Sequence, residues 1–196
     1  MEFRFTAKCN GVQETFCDEE RYYASIDAKD WVRGEAMCSA FRLQKSGEYA
    51  KAVIHSAKNF IREVEFYEYL KGTGITPELL RTGKLFPFQI VEEGTENISE
   101  GEYSYIVLER FGNSLDKIYA VTDGIISSED LLTNEEMFDN TFSPSKFPEK
   151  VRENIRSLLK RLSEAGVEHL DFHSGNILMD EKGQLKVIDF ERAAFL

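Results

Sequence analysis

The sequence predicts an α+β chain in two parts, strand-rich first and mainly helical after, and three observations carry that prediction. Up to residue 109, short apolar runs bounded by turn residues surround one helical stretch, in the order strand, strand, strand, helix, strand, strand. From residue 147 the pattern changes to one long amphipathic helix. Then HLDFHSGNIL (169–178) and VIDFERAAFL (187–196) place histidine, aspartate and asparagine between apolar residues, as a site would require.

At 196 residues the chain has room for one domain or two small lobes with a real core. A net charge of -11 opposes a surface built to neutralise nucleic-acid phosphates, so no nucleic-acid partner is expected. Cys9, Cys17 and Cys38 form an odd set without zinc spacing. They are expected as reduced thiols of an intracellular, cytoplasmic protein. No apolar run approaches the roughly 20 residues of a membrane helix, and the start MEFRFTAKCN does not resemble a secretory signal, so no membrane partner is expected.

In chain order, WVRGEAMCSAFRL (31–43) reads as two strands joined around Gly34 and Glu35, and KSGE (45–48) turns into the strand YAKAVIH (49–55). KNFIREVEFYEYLKG (58–72) spaces Phe60, Val64, Tyr67 and Lys71 as one helical face and stops at Gly72. Residues 84–92 and 103–109 are two further strands, linked by the turn-rich EEGTENISEGE. FGN (111–113) breaks the chain after SYIVLER. In the acidic connection 120–147, Ser127 and Ser128 are placed to cap a short helix running through Met137. FPEKVRENIRSLLKRLSEAG (147–166) has Pro148 in its first turn and Gly166 at its end. Val151, Ile155, Leu158, Leu159 and Leu162 make its apolar face. Arg152, Arg156 and Lys160 lie on its other side, expected as a solvated face, with an acidic partner as the alternative.

The chemistry is concentrated near the end of the chain. Asp171 and Asn176 are five residues apart, and a strand-turn-strand then leads to Asp189. Such an all-oxygen set suits a hard cation such as Mg²⁺, which takes few protein ligands and keeps substrate phosphates. One carboxylate then remains to accept a proton from an incoming hydroxyl. His169-Leu170-Asp171-Phe172-x-x-x-Asn176 follows the pattern H-R-D-L-x-x-x-N with leucine for arginine. Asp189-Phe190-Glu191 follows D-F-G with glutamate for glycine. On these motifs the chain resembles the protein-kinase-like superfamily, and the resemblance runs through nearly its whole length.

That resemblance implies a two-lobed kinase-like fold. Residues 1–110 would form an N-lobe with a five-stranded antiparallel sheet and one helix, and residues 111–196 a reduced, mainly helical C-lobe. It implies ATP and Mg²⁺, with Asp171 orienting the acceptor hydroxyl and Asn176 and Asp189 holding metal. Lys51 on the third strand would hold the phosphates and pair with Glu63, with Lys58 and Glu65 as the alternative pair. Leu108 would be the gatekeeper, and the Glu109 carbonyl and Phe111 amide would read adenine. The phosphate-covering loop offers only Gly34, with amides from 34 to 39 and the Ser39 hydroxyl; a plain hairpin turn is the alternative there. His169 is expected as a packed, hydrogen-bonded structural residue.

Three departures bear on the acceptor. His173 stands where protein kinases carry lysine, and aminoglycoside and choline kinase-like relatives often show histidine there. Glu191 replaces a flexible glycine, a change seen on the same side of the superfamily. The run from Asp189 to Leu196 leaves no room for an activation segment or later peptide-binding helices. In this the chain is similar to minimal kinases, such as those of tRNA-modification complexes and some bacterial effector or viral kinases, the last two acting in host cytosol. The expectation is therefore a minimal Ser/Thr protein kinase with a protein substrate and an activating or substrate-presenting partner. The acidic 120–147 segment and the chain's end are the places for that partner. The alternatives are a small-molecule kinase, a nucleotide-dependent interaction module, and transfer of AMP.

Overall fold

Expected strands and one unexpected hairpin build the first part of the molecule. The computed structural model describes residues 3–9, 12–16, 31–33, 40–45, 48–53, 57–92, 98–121 and 124–196, with side chains for 60–82, 106–121 and 124–196. The chain divides into two units, Met1–Phe60 with Leu80–Glu109, and Ile61–Leu79 with Arg110–Leu196.

In the first unit a seven-stranded sheet has the order β2-β1-β6-β7-β5-β4-β3, where five strands were expected. Strands β3 (Trp31–Arg33), β4 (Ala40–Lys45) and β5 (Glu48–Val53) fall on the predicted runs. Strands β6 (Leu79–Glu92) and β7 (Ile98–Glu109) are longer than predicted. The two extra strands are β1 (Phe3–Cys9) and β2 (Val12–Phe16), an antiparallel pair in which Cys9 faces Val12. Strand β1 joins the sheet through β6, with Phe5 opposite Ile90. The β5 strand pairs antiparallel with both β4 and β7, so Lys51 lies between Arg42 and Ile106.

Helix α1 (Ala57–Tyr69) crosses from the first unit into the second. Its buried face is Glu63, Phe66, Tyr67 and Leu70, at i, i+3, i+4 and i+7. The face read from sequence is rotated from this one: Lys71 is exposed, and a glutamate occupies the buried stripe. Apolar spacing alone could not place that face, because one of its four members is charged.

After the short strand β8 (Asn113–Ser114), the remaining described helices are α2 (Leu115–Tyr119), α3 (Ser128–Thr133), α4 (Glu135–Thr141) and α5 (Glu149–Glu164). The single helix expected through Met137 is two. Ser127 Oγ caps α3 by accepting from the Glu129 and Asp130 amides, and Asn134 Oδ1 caps α4 by accepting from Met137 at 3.0 Å. Helix α5 buries Val151, Ile155, Leu158, Leu159 and Leu162 as predicted, and Gly166 beyond it has φ +71°. Burying each such aliphatic side chain contributes about 1.5–3 kcal/mol.

The basic side of α5 is not a solvated face throughout. Arg152 is buried, donates to the Phe142 carbonyl at 2.8 Å, and pairs with Asp139 and Glu149. Arg156 pairs with Glu135 and lies 4.1 Å from the Phe138 ring centroid. Here the acidic connection is itself a counter-charge for the helix, a long-range pairing that sequence patterning does not encode. Lys160 is exposed, and its partner among the described residues is its own helix neighbour Glu164, 3.6 Å away. Among the described residues, no helix is long and apolar enough to cross a membrane.

Candidate functional site

After α5 the chain forms β9 (Val167–Glu168), a loop, a 3-10 turn at Ser174–Asn176, the hairpin β10 (Ile177–Met179) and β11 (Leu185–Val187), and β12 (Ala194–Phe195). Phe172 and Phe190 are wholly buried within the two polar motifs. Each motif is thus anchored by an aromatic residue, with its neighbouring polar groups held at defined places. The anchors meet at His169, whose ring lies 5.9 Å from Phe172 and 4.9 Å from Phe190 between centroids.

The loop backbone is pinned from several sides. Ser128 donates its N–H to the His169 carbonyl at 3.0 Å, and its Oγ accepts from the His169 amide at 2.8 Å. Phe172 donates to the Ile126 carbonyl at 2.9 Å. His169 has the structural role expected of it. Its Nδ1 accepts from the Asp171 amide at 3.3 Å, and Nε2 lies 3.0 Å from the Ile188 carbonyl. Only the neutral ring protonated at Nε2 satisfies both contacts.

Burial is the largest influence on His169 and lowers its pKa from the ordinary 6.5, against the raising effects of the Ile188 carbonyl, Asp189 and Asp171. The folded state therefore binds this proton less readily than the unfolded chain. The resulting stability is complete above 6.5 and declines as pH falls below it, toward the depressed folded value. Denaturant titrations between about pH 7 and about pH 5 should show that decline, and His169→Gln should show less of it. An unchanged slope in the variant would remove His169 as its source.

Around Asp171 the geometry is suited to proton transfer. Asn176 donates Nδ2–H to the Asp171 carbonyl at 2.9 Å, which commits its donor half and leaves Oδ1 as its ligand atom. Ile188 donates to the Asn176 carbonyl at 3.0 Å, tying the loop to the segment entering Asp189. Asp171 Oδ1 is buried and has no hydrogen-bond partner among the described residues; His173 Nε2 is 3.8 Å away. His173 Nδ1 accepts from the Gly175 amide at 3.1 Å, so Nε2 is its protonated nitrogen when the ring is neutral. A Cβ on Gly175 would stand 2.8 Å from His173 Cε1, so glycine makes room for this ring.

Oxygen atoms of Glu63, Asp189 and Glu191 lie within 4.8 Å of one another. Glu63 is 1% exposed, whereas Glu65 is exposed, so Glu63 is the inward-facing glutamate of α1. Glu191 was read from sequence as a departure from the motif and not as a site residue. Its place beside Asp189 was the available signal. Three carboxylate oxygens this close could hold a hard cation such as Mg²⁺.

The nucleotide contacts expected elsewhere are less completely described. Gly34 and Ser39 lie outside the described residues. Lys51 stands on β5, but its side chain lies outside them too, and so does its pairing with Glu63; the same holds for the Lys58 side chain. Leu108 is buried on β7 opposite Tyr49, and Glu109 ends that strand opposite Glu48. The Phe111 ring lies 4.4 Å from Lys186 Nζ and lines a cavity of about 530 Å³ that includes none of Asp171, Asn176 and Asp189.

The model of the family described as "Phosphotransferase enzyme family" (APH) matches residues 40–195. The curated proteins include no match. Among solved structures, monomeric WbdD has a TM-score of 0.56 at 14% identity, with 97% of this chain and 40% of that one covered. A structure of the bifunctional kinase-methyltransferase WbdD gives 0.52 at 14%, covering 97% and 37%. The 2.2 Å crystal structure of WbdD gives 0.51 at 15%, covering 97% and 36%. The chain thus spans well under half the length of these neighbours, and the likeness is one of fold: kinase-like α+β, with antiparallel sheets and several helices.

Proposed function

The chain belongs to the phosphotransferase enzyme family (APH), within the protein-kinase-like superfamily, and from that premise we propose an ATP- and Mg²⁺-dependent kinase acting on an alcohol. The observation that carries this reading is Asp171 Oδ1, a buried carboxylate oxygen with no hydrogen-bond partner among the described residues, on a loop pinned from several sides. An incoming hydroxyl supplies the missing donor. As its oxygen bonds to the γ-phosphorus and the bond to the β-phosphate oxygen breaks, its proton passes to Asp171. Asn176 Oδ1 and Asp189 would hold Mg²⁺, which supplies charge neutralisation of the phosphates. Lys51, fixed by Glu63, would hold the α- and β-phosphates. Leu108, Glu109 and Phe111 would border adenine, and Gly34 and Ser39 would lie over the phosphates. The 1–110 and 111–196 segments would act as the two lobes, and a cytoplasmic location would supply ATP.

The acceptor we propose is a small-molecule hydroxyl. His173 occupies the position of the protein-kinase lysine, with its ring held by Gly175 and facing Asp171, and Glu191 follows the DF pair. Both features are shared with aminoglycoside and choline kinase-like relatives. The protein Ser/Thr acceptor, with a presenting partner, is the second reading, favoured by the match of His169 to Asn176 to the protein-kinase catalytic-loop pattern.

Incubation with γ-labelled ATP and a cell extract separates the two. Label is expected in the small-molecule fraction. Label confined to protein would overturn that acceptor in favour of the second reading. Transfer from α-labelled ATP would indicate AMP transfer, and binding of ATP without any transfer would leave an interaction module.

A further inference from the structure

The peptide bond between Ile188 and Asp189 is held at both ends by buried side chains. Its carbonyl lies 3.0 Å from His169 Nε2, and its N–H donates to the Tyr67 hydroxyl at 3.2 Å. The two side chains come from different elements, His169 from the catalytic loop and Tyr67 from α1. Tyr67 lies one helical turn beyond Glu63, on the same buried face. Its ring is 1% exposed and meets Phe190 edge-on, with centroids 5.4 Å apart.

A phenylalanine would fill that space equally well, so the hydroxyl calls for a separate reason. Burying a hydroxyl without a partner is unfavourable. Asp189 supplies the reason. Its φ is +71°, a left-handed conformation that disfavours side chains other than glycine. Strand β11 ends at Val187, so the Asp189 amide lies beyond the ladder and needs a partner elsewhere. Without the Tyr67 hydroxyl, rotation of this peptide plane would meet one hydrogen bond fewer. With it, two hydrogen bonds from opposite sides oppose rotation, and the aim of the Asp189 carboxylate follows the plane.

We infer that the Tyr67 hydroxyl is a positioning group: with His169 it clamps the Ile188–Asp189 peptide and keeps Asp189 in the left-handed conformation that presents its carboxylate to the cation. This rests on the reading of Asp189 as a cation ligand. Helix α1 thereby contributes to the aim of Asp189 through a backbone contact. The cation is gripped most tightly when the helix face carrying Tyr67 is seated against Phe190.

The test is Tyr67→Phe, which keeps the ring and removes only the hydroxyl. Binding of Mn²⁺ in the presence of ATP is followed by loss of the free-ion electron paramagnetic resonance signal, after subtraction of the Mn²⁺ held by ATP alone in a protein-free titration. The half-saturating Mn²⁺ concentration should rise about threefold to tenfold, the range one net hydrogen bond spans. Amide exchange at Asp189 should accelerate in the same variant. A purely structural role would lower the unfolding temperature and leave both readings at the wild-type value, which would overturn the inference. Asp189→Asn is measured alongside. Loss of Mn²⁺ binding in that variant supports the cation reading on which the clamp depends. Wild-type Mn²⁺ binding in it would remove that reading, and the clamp's purpose with it.

Discussion

Replacing Asp171 with asparagine is expected to lower the rate of phosphoryl transfer by about 10²- to 10⁴-fold. ATP should continue to raise the unfolding temperature of the variant. Asparagine keeps the shape of the side chain but cannot take the hydroxyl proton, and its amide can donate where the carboxylate could only accept. His173 Nε2 stands 3.8 Å from the Asp171 oxygen, too far for a hydrogen bond, and no other described group supplies one. In the resting protein that oxygen is therefore a cost, since a buried acceptor has lost water and gained no donor. Asp171→Asn should then unfold at the wild-type temperature or above it while losing nearly all activity. That pairing distinguishes a catalytic aspartate from a structural one, whose loss would lower both together. Wild-type turnover in the variant would remove Asp171 from the chemistry.

The parts of this arrangement that were legible in the sequence are those written in local spacing. Val151, Ile155, Leu158, Leu159 and Leu162 announce α5, and all five are buried. The paired motifs at 169–176 and 189–191 were visible because strand-turn-strand geometry fixes how far apart they stand. The β1–β2 hairpin had a signal too: Asn10-Gly11 sits between two alternating runs, the strongest short hairpin cue.

Other features had no local signal. Arg152 meets Asp139 thirteen residues earlier, across a turn and two helix ends, and only packing brings them together. Tyr67 looked like one more apolar position on a helix. Its hydroxyl accepts from the amide of Asp189, 122 residues on, a contact that local spacing does not announce. Glu63 interrupted the apolar stripe of α1 and so displaced the face inferred from spacing. A charge buried for function looks, to a hydrophobic pattern, like an error in the pattern.

The sharpest stability effect is expected at Gly112→Ala, in the FGN breaker. Gly112 has φ +47°, where alanine is strained by about 1–2 kcal/mol. Strain is the smaller part. A Cβ built there would lie 1.9 Å from the Met179 carbonyl oxygen, 2.3 Å from its carbon and 2.8 Å from the Asp180 nitrogen. All three are backbone atoms, so no side chain can rotate away. Met179 is paired with Asn113 on one side and Leu185 on the other, which opposes movement of β10 as a whole. Adding the cost of forced backbone displacement brings the expected loss to about 2–5 kcal/mol, a large share of a small protein's stability. Gly72→Ala is the matched comparison. Gly72 has φ +77° and nothing within 4 Å of its virtual Cβ, so only the strain should appear there, about 1–2 kcal/mol. Chemical denaturation of both variants separates the two contributions, and equal losses would show that the Met179 contact yields. If Gly112→Ala does fold, the displaced strand carries Ile177 and with it the adjacent Asn176, the residue that holds the Asp171 carbonyl. Activity should then fall further than stability alone accounts for, because the close approach at Gly112 is one of the constraints that sets where Asp171 stands.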